Sequence, residues 1–92
     1  METSQTFQTN PLGQNADIFH ENQLVLYNDS VNTYNFVRSV LMKICQHEPE
    51  QAEQCTLIVH LNGKCSVKKG SLRQLRPFLR GLLRNGLQVE II

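Results

Sequence analysis

LRQLRPFLRGLLRNGLQVEII, residues 72–92, decides the fold, because its hydrophobic period changes once along its length. Up to Arg84, the apolar residues Leu72, Leu75, Phe78, Leu79, Leu82 and Leu83 recur three or four positions apart, with Arg73, Arg76, Arg80 and Arg84 between them. That spacing puts the two sets on opposite faces of a helix. Pro77 falls inside the pattern, yet the apolar stripe keeps its phase across it, so one kinked helix is expected and not two. Asn85 and Gly86 then stop the helix, and Leu87, Val89 and Ile91 alternate with Gln88 and Glu90, the two-residue period of a strand with one buried face.

Working upstream, Leu24 to Tyr27 is a short apolar run closed by the turn formers Asn28, Asp29 and Ser30, which predicts a buried strand. Asn32 suits the N-cap of a helix from Thr33 to about Gln46, whose inner face carries Tyr34, Val37, Val40, Leu41, Ile44 and Cys45. Pro49 suits the first position of a second helix, with Ala52, Cys55, Thr56 and Val59 inward, His60 in the last turn and Gly63 as its stop. A weaker strand follows from Lys64 to Val67. The order βααβαβ predicts an α/β two-layer sandwich, a three-stranded antiparallel sheet packed against three helices.

Residues 1–22 are rich in Gln, Asn, Thr and Ser and lack a hydrophobic period, so a flexible N-terminal extension is expected ahead of a core domain at 23–92. Charge is unevenly divided. Residues 1–63 hold two basic and seven acidic side chains; residues 64–92 hold seven basic and one acidic. No stretch approaches the roughly 20 apolar residues of a membrane span, and no basic region followed by an apolar run marks a secretory leader. Cys45, Cys55 and Cys65 form an odd set without a CxxC pair, which argues for reduced thiols and a cytoplasmic setting.

Three constellations could carry chemistry. A thiol with His47 or His60 as base would make a nucleophile, but every cysteine lies in or beside an apolar segment, where packing is the commoner role. Arg73, Arg76, Arg80 and Arg84 could grip phosphates, which leaves a nucleic-acid or ribosome-associated module as the alternative reading. No aromatic residue interleaves with them, so a solvated basic face competes with that reading. Asn28, Asp29 and His60, taken singly, are turn formers and a helix-terminal histidine.

The runs LVLYNDS at 24–30, TYNFVRSVL at 33–41 and EQCTLIVHLNGK at 53–64 together resemble the Clp protease adaptor family, ClpS. The resemblance implies an adaptor without catalytic residue, cofactor or metal. Such an adaptor recognises N-degron clients by a free α-amino group and a bulky hydrophobic first residue. It delivers them to a Clp-type AAA+ unfoldase, ClpA- or ClpC-like, and works as a monomer. It also implies that Asn28, Asp29 and His60 bind the α-amino group, and that Asn32, Tyr34, Val37, Thr56, Val59 and Leu87 line the side-chain pocket. An ammonium group offers three donors and a positive charge, which suits an amide oxygen, a carboxylate and a neutral imidazole. The chain departs from the family pattern at Ser30, where a second acid is usual, and at Asn32 and Thr33, where Thr-Pro is usual. Tyr34 and Thr56 stand where methionines are usual, and the stretch after Cys65 is short.

Overall fold

The computed structural model of the chain describes residues 21–92, so the expected N-terminal extension lies outside the described residues apart from its last two positions. Six elements follow in the expected order: β1 (Asn22–Tyr27), α1 (Tyr34–Ile44), α2 (Pro49–Asn62), β2 (Lys64–Gly70), α3 (Leu72–Arg84) and β3 (Gln88–Ile91). The strands form one antiparallel sheet in the order β2-β1-β3. The fold is the α/β arrangement of three helices on a three-stranded sheet that the period analysis predicts.

β1 is central, which explains why Leu24, Val25 and Leu26 are all buried in succession. Leu24 and Leu26 point at the helices and share one core with Leu41, Ala52, Val59, Val67, Leu75, Leu82 and Leu87. Gly81 on α3 lets that helix approach α1 closely, since a Cβ there would come within 2.7 Å of Ile44 Cγ2. Several boundaries differ from expectation. β1 begins at Asn22, inside the expected extension and ahead of Leu24, and β3 spans Gln88–Ile91, one residue shorter at each end than the alternation suggests. Thr33, not Asn32, caps α1, its Oγ1 accepting the Phe36 amide at 3.1 Å, because Asn32 is engaged elsewhere. The same helix ends at Ile44, short of Gln46, whose φ of 60° turns the chain away. β2 continues past Val67 to Gly70, as Lys68 and Lys69 pair across the ladder with Leu24 and Gln23.

α3 runs unbroken through Pro77, which is exposed. Its stripe is narrower than the spacing suggests. Leu83 is 50% exposed, because the close-packed position at that level of the helix is taken by Gly81 and Leu82. Ser71 begins α3 with a capping box: its hydroxyl accepts the Gln74 amide while the Gln74 side chain accepts the Ser71 amide.

Val67 has no partner across the β1–β2 ladder, which slips by one residue between Leu24 and Val25. The Val67 carbonyl instead accepts a hydrogen bond from Nε2 of the buried His47 at 2.9 Å. Nδ1 of His47 is buried without a partner, so a second proton there meets no acceptor. Burial therefore holds the His47 pKa below its usual value, and Lys68 adds to the effect. Between its depressed folded pKa and the ordinary histidine range, near 6.5, the unfolded chain binds a proton that the folded chain refuses. Stability is thus expected to fall as pH drops below about 6.5. Thermal unfolding at a series of pH values checks this, and His47→Gln, which can still donate to the Val67 carbonyl, should flatten that part of the profile.

Candidate functional site

The end of β1 and the end of α2 meet because the Asn28 amide donates to the carbonyl of Gly63 at 2.9 Å. Gly63 is the left-handed stop of α2, with φ 94°, and its geometry brings the last turn of that helix beside the turn after β1. A pocket of about 220 Å³ opens there, between this turn, the start of α1 and the last turns of α2. Asn28, Asp29, Asn32, Tyr34, Val37, Thr56, Val59 and His60 surround it. Eight of the nine side chains singled out in the sequence thus come together from three elements. Leu87 does not line the pocket; it is 2% exposed, packed in the core cluster behind.

Asp29 is the most constrained member. Its Oδ1 accepts the backbone amides of Val31 at 2.8 Å and Asn32 at 2.7 Å, and its Oδ2 accepts from Nδ2 of Asn32 at 2.9 Å. Chiefly the Asn32 amide, then the Asn32 side chain, hold the Asp29 carboxyl below the usual carboxylate range, so it carries its charge through neutral pH. A carboxylate has about four acceptor positions and three are used here, which leaves capacity on Oδ2 for one more donor. Asn32, expected to wall the pocket, does so while also tying this turn to the α3–β3 connection, since its Nδ2 donates to the Gly86 carbonyl at 3.0 Å.

His60 is exposed at the pocket rim and meets the ring of Tyr34 edge to face, with centroids 6.0 Å apart. The Tyr34 hydroxyl in turn donates to Glu53 Oε2 at 2.6 Å, and Glu53 Oε1 lies 3.6 Å from Nε of Arg38. The Glu53 hydrogen bond pushes the Tyr34 pKa up, so the phenol stays protonated. Glu53 and Arg38 thus hold a pocket wall in place, and neither is signalled in the sequence, where Glu53 lies 19 positions from the tyrosine it fixes. Thr56 is buried and its hydroxyl donates to the Ala52 carbonyl at 2.7 Å. With that group already partnered, the interior formed by Thr56, Val37 and Val59 offers methyl surface. The pocket therefore has an apolar interior and a polar rim bearing one fixed negative charge.

Bond-making chemistry is poorly served elsewhere. Cys45 and Cys55 are buried, and burial pushes their thiols up to about 11 and about 12, away from the thiolate that a nucleophile requires. Cys65, half-buried, directs its thiol to the Ser66 carbonyl. Among the described residues, no three His, Cys, Asp or Glu side chains are grouped to hold a metal ion, and no helix is long and apolar enough to cross a membrane. Arg73, Arg76, Arg80 and Arg84 are exposed on α3, and none of them lines the pocket.

The family model described as ATP-dependent Clp protease adaptor protein ClpS matches residues 19–90, more than three quarters of the chain. The chain belongs to the ClpS family. It is accordingly a Clp protease adaptor, from a family of adaptors and not of proteases. No curated protein is matched by the chain. Within the ClpS match fall all the side chains of the pocket and its rim, Tyr34 and Thr56 included.

Proposed function

We propose that this ClpS-family adaptor captures client proteins by a free N-terminus and delivers them to a Clp-type AAA+ unfoldase, ClpA- or ClpC-like, in the cytoplasm. The observation that carries the reading is the division of one small pocket into a polar rim with Asn28, Asp29 and His60 and an apolar interior with Val37, Thr56 and Val59. Asp29 supplies a permanent negative charge and one spare acceptor. Asn28 contributes an amide oxygen and His60 an imidazole nitrogen, so three acceptors face the three donors of an α-ammonium group. The first side chain of the client enters the interior, where burying a Phe or Leu contributes about 1.5 to 3 kcal/mol. A hydrocarbon side chain suits that interior because Thr56 has no free hydroxyl donor to satisfy.

His60→Ala separates this reading from a merely structural histidine. His60 is exposed and makes no hydrogen bond to the described residues, so the variant should keep the parent unfolding temperature. Its affinity for a peptide beginning with Phe should fall about ten-fold, the loss of one hydrogen bond to a charged group. Equal affinity, measured by fluorescence anisotropy, would remove His60 from the clamp.

A further inference from the structure

The Asn28–Asp29 turn separates two hollows. One is the pocket above; the other, of about 550 Å³, is lined by the same Asn28 and Asp29 together with Tyr27, Ser30, Gln88, Val89 and Glu90. It opens on the sheet face turned away from the helices, because Tyr27 pairs with Gln88 and Glu90 with Val25, alternating with the inward Leu24 and Leu26. An extended chain advances about 3.3 Å per residue, so a peptide whose amino group sits at this turn crosses it within one or two residues. The geometry points to this second hollow as the path of the client's second and third residues, with Glu90 receiving a cationic side chain at one of them. This rests on the N-terminus reading above.

Charge accounting singles out Glu90. Among the described residues, Asp29 lines both hollows, Glu90 lines the second, and Glu53 stands behind the first as the partner of Tyr34. The Asp29 carboxylate is held by its own turn through three hydrogen bonds, and Glu53 has Arg38 beside it. Glu90 accepts only from the neutral Tyr27 hydroxyl, and among the described residues no cation pairs with it. That hydrogen bond pushes the Tyr27 phenol's pKa up and holds the carboxylate over the hollow. Among the described residues, Glu90 is therefore an acid with no cation beside it, oriented by Tyr27 and lining the hollow next to the clamp. Asp29, across the same hollow, adds to the field, so arginine or lysine is favoured in the path and glutamate or aspartate is disfavoured. The carboxylate is exposed, so the preference is modest and salt-sensitive.

The test uses the full chain and C-terminally labelled peptides that begin Phe-Arg, Phe-Ala or Phe-Glu and are otherwise identical, with a second set varied at position three. Wild-type protein should rank them Arg, Ala, Glu in at least one set, spanning about five-fold in affinity at low salt. Glu90→Gln, which keeps an acceptor for Tyr27, should narrow the span to about two-fold without changing the unfolding temperature, and 0.5 M salt should narrow it in the wild type. An undiminished span in Glu90→Gln, or equal binding of all peptides in both sets, overturns this path while leaving the clamp intact. Failure of every free-amino peptide to bind would bring down the clamp and the path together.

Discussion

Asp29→Ala is expected to weaken binding of a Phe-initial peptide by roughly 100-fold, corresponding to about 3 kcal/mol, the upper end for a hydrogen bond between charged partners. The size of the effect follows from two losses at once. The variant removes the only carboxylate at the pocket rim among the described residues, and it releases the Val31 and Asn32 amides and the Asn32 side chain that fold the turn around it. A simpler expectation, that the substitution spares the fold because the partner of Asp29 is the ligand, does not suit this geometry. The unfolding temperature should fall too, by the equivalent of about 1 kcal/mol. Asp29→Asn divides the two roles: its amide oxygen can still accept from the turn, while its charge is gone. It should retain most of the stability and still bind about ten-fold more weakly. Anisotropy titrations beside thermal unfolding distinguish the cases, and full affinity in Asp29→Asn would contradict the assignment of charge to this position.

Leu41→Ala should cost about 2 to 5 kcal/mol of folding stability. Leu41 is fully buried on α1, in the core that joins the three helices to β1. Domains of this size are stabilised by only about 5 to 15 kcal/mol, so the variant should unfold at markedly lower urea concentration. Tyr34 and Val37 belong to the same helix, so the pocket should loosen before the domain unfolds. Leu83→Ala is the matched control. Leu83 stands in the apolar stripe of α3 by spacing alone and is half-exposed in the fold, so its truncation should change stability by less than about 0.5 kcal/mol. Comparable losses in the two variants would mean that the core is misassigned.

The contrast between Leu41 and Leu83 shows how far periodicity reaches. It identifies α3 and β3, where the period changes from helical to alternating, but not which edge of a stripe is buried. That depends on Gly81, whose missing side chain draws α3 against Ile44. α2 is a different case: Leu57, Ile58 and Leu61 are exposed opposite the inward Ala52, Cys55, Thr56 and Val59, so its hydrophobicity has little direction. Pro49 and Gly63 mark that helix where the period does not. Lys68 and Lys69 look like the end of a strand, yet the ladder to β1 carries β2 through them, and Lys68 Nζ lies 4.7 Å above the ring of Phe78. The capping box at Ser71 and Gln74 is legible as a spacing of three.

Local pattern alone brings no binding site into view. Asn28 and Asp29 lie 31 or more positions before His60, and nothing in turn or helix chemistry joins them; the ClpS resemblance does. The resemblance also nominated Leu87, which the fold places behind the pocket. Tyr34 is a pocket residue whose position is set by partners outside the pocket. Its anchorage to Glu53 and Arg38 crosses between two helices, where no sequence spacing could announce it.

A peptide beginning with Phe, compared with its N-acetylated twin, tests the ammonium clamp without altering the protein. Acetylation leaves the Phe side chain in place but removes the positive charge and two of the three donors that Asn28, Asp29 and His60 are proposed to meet. Isothermal titration should give a dissociation constant at least 100-fold weaker for the acetylated peptide. Equal affinity for the two would contradict the clamp, and with it the reading of this pocket as a receptor for free N-termini.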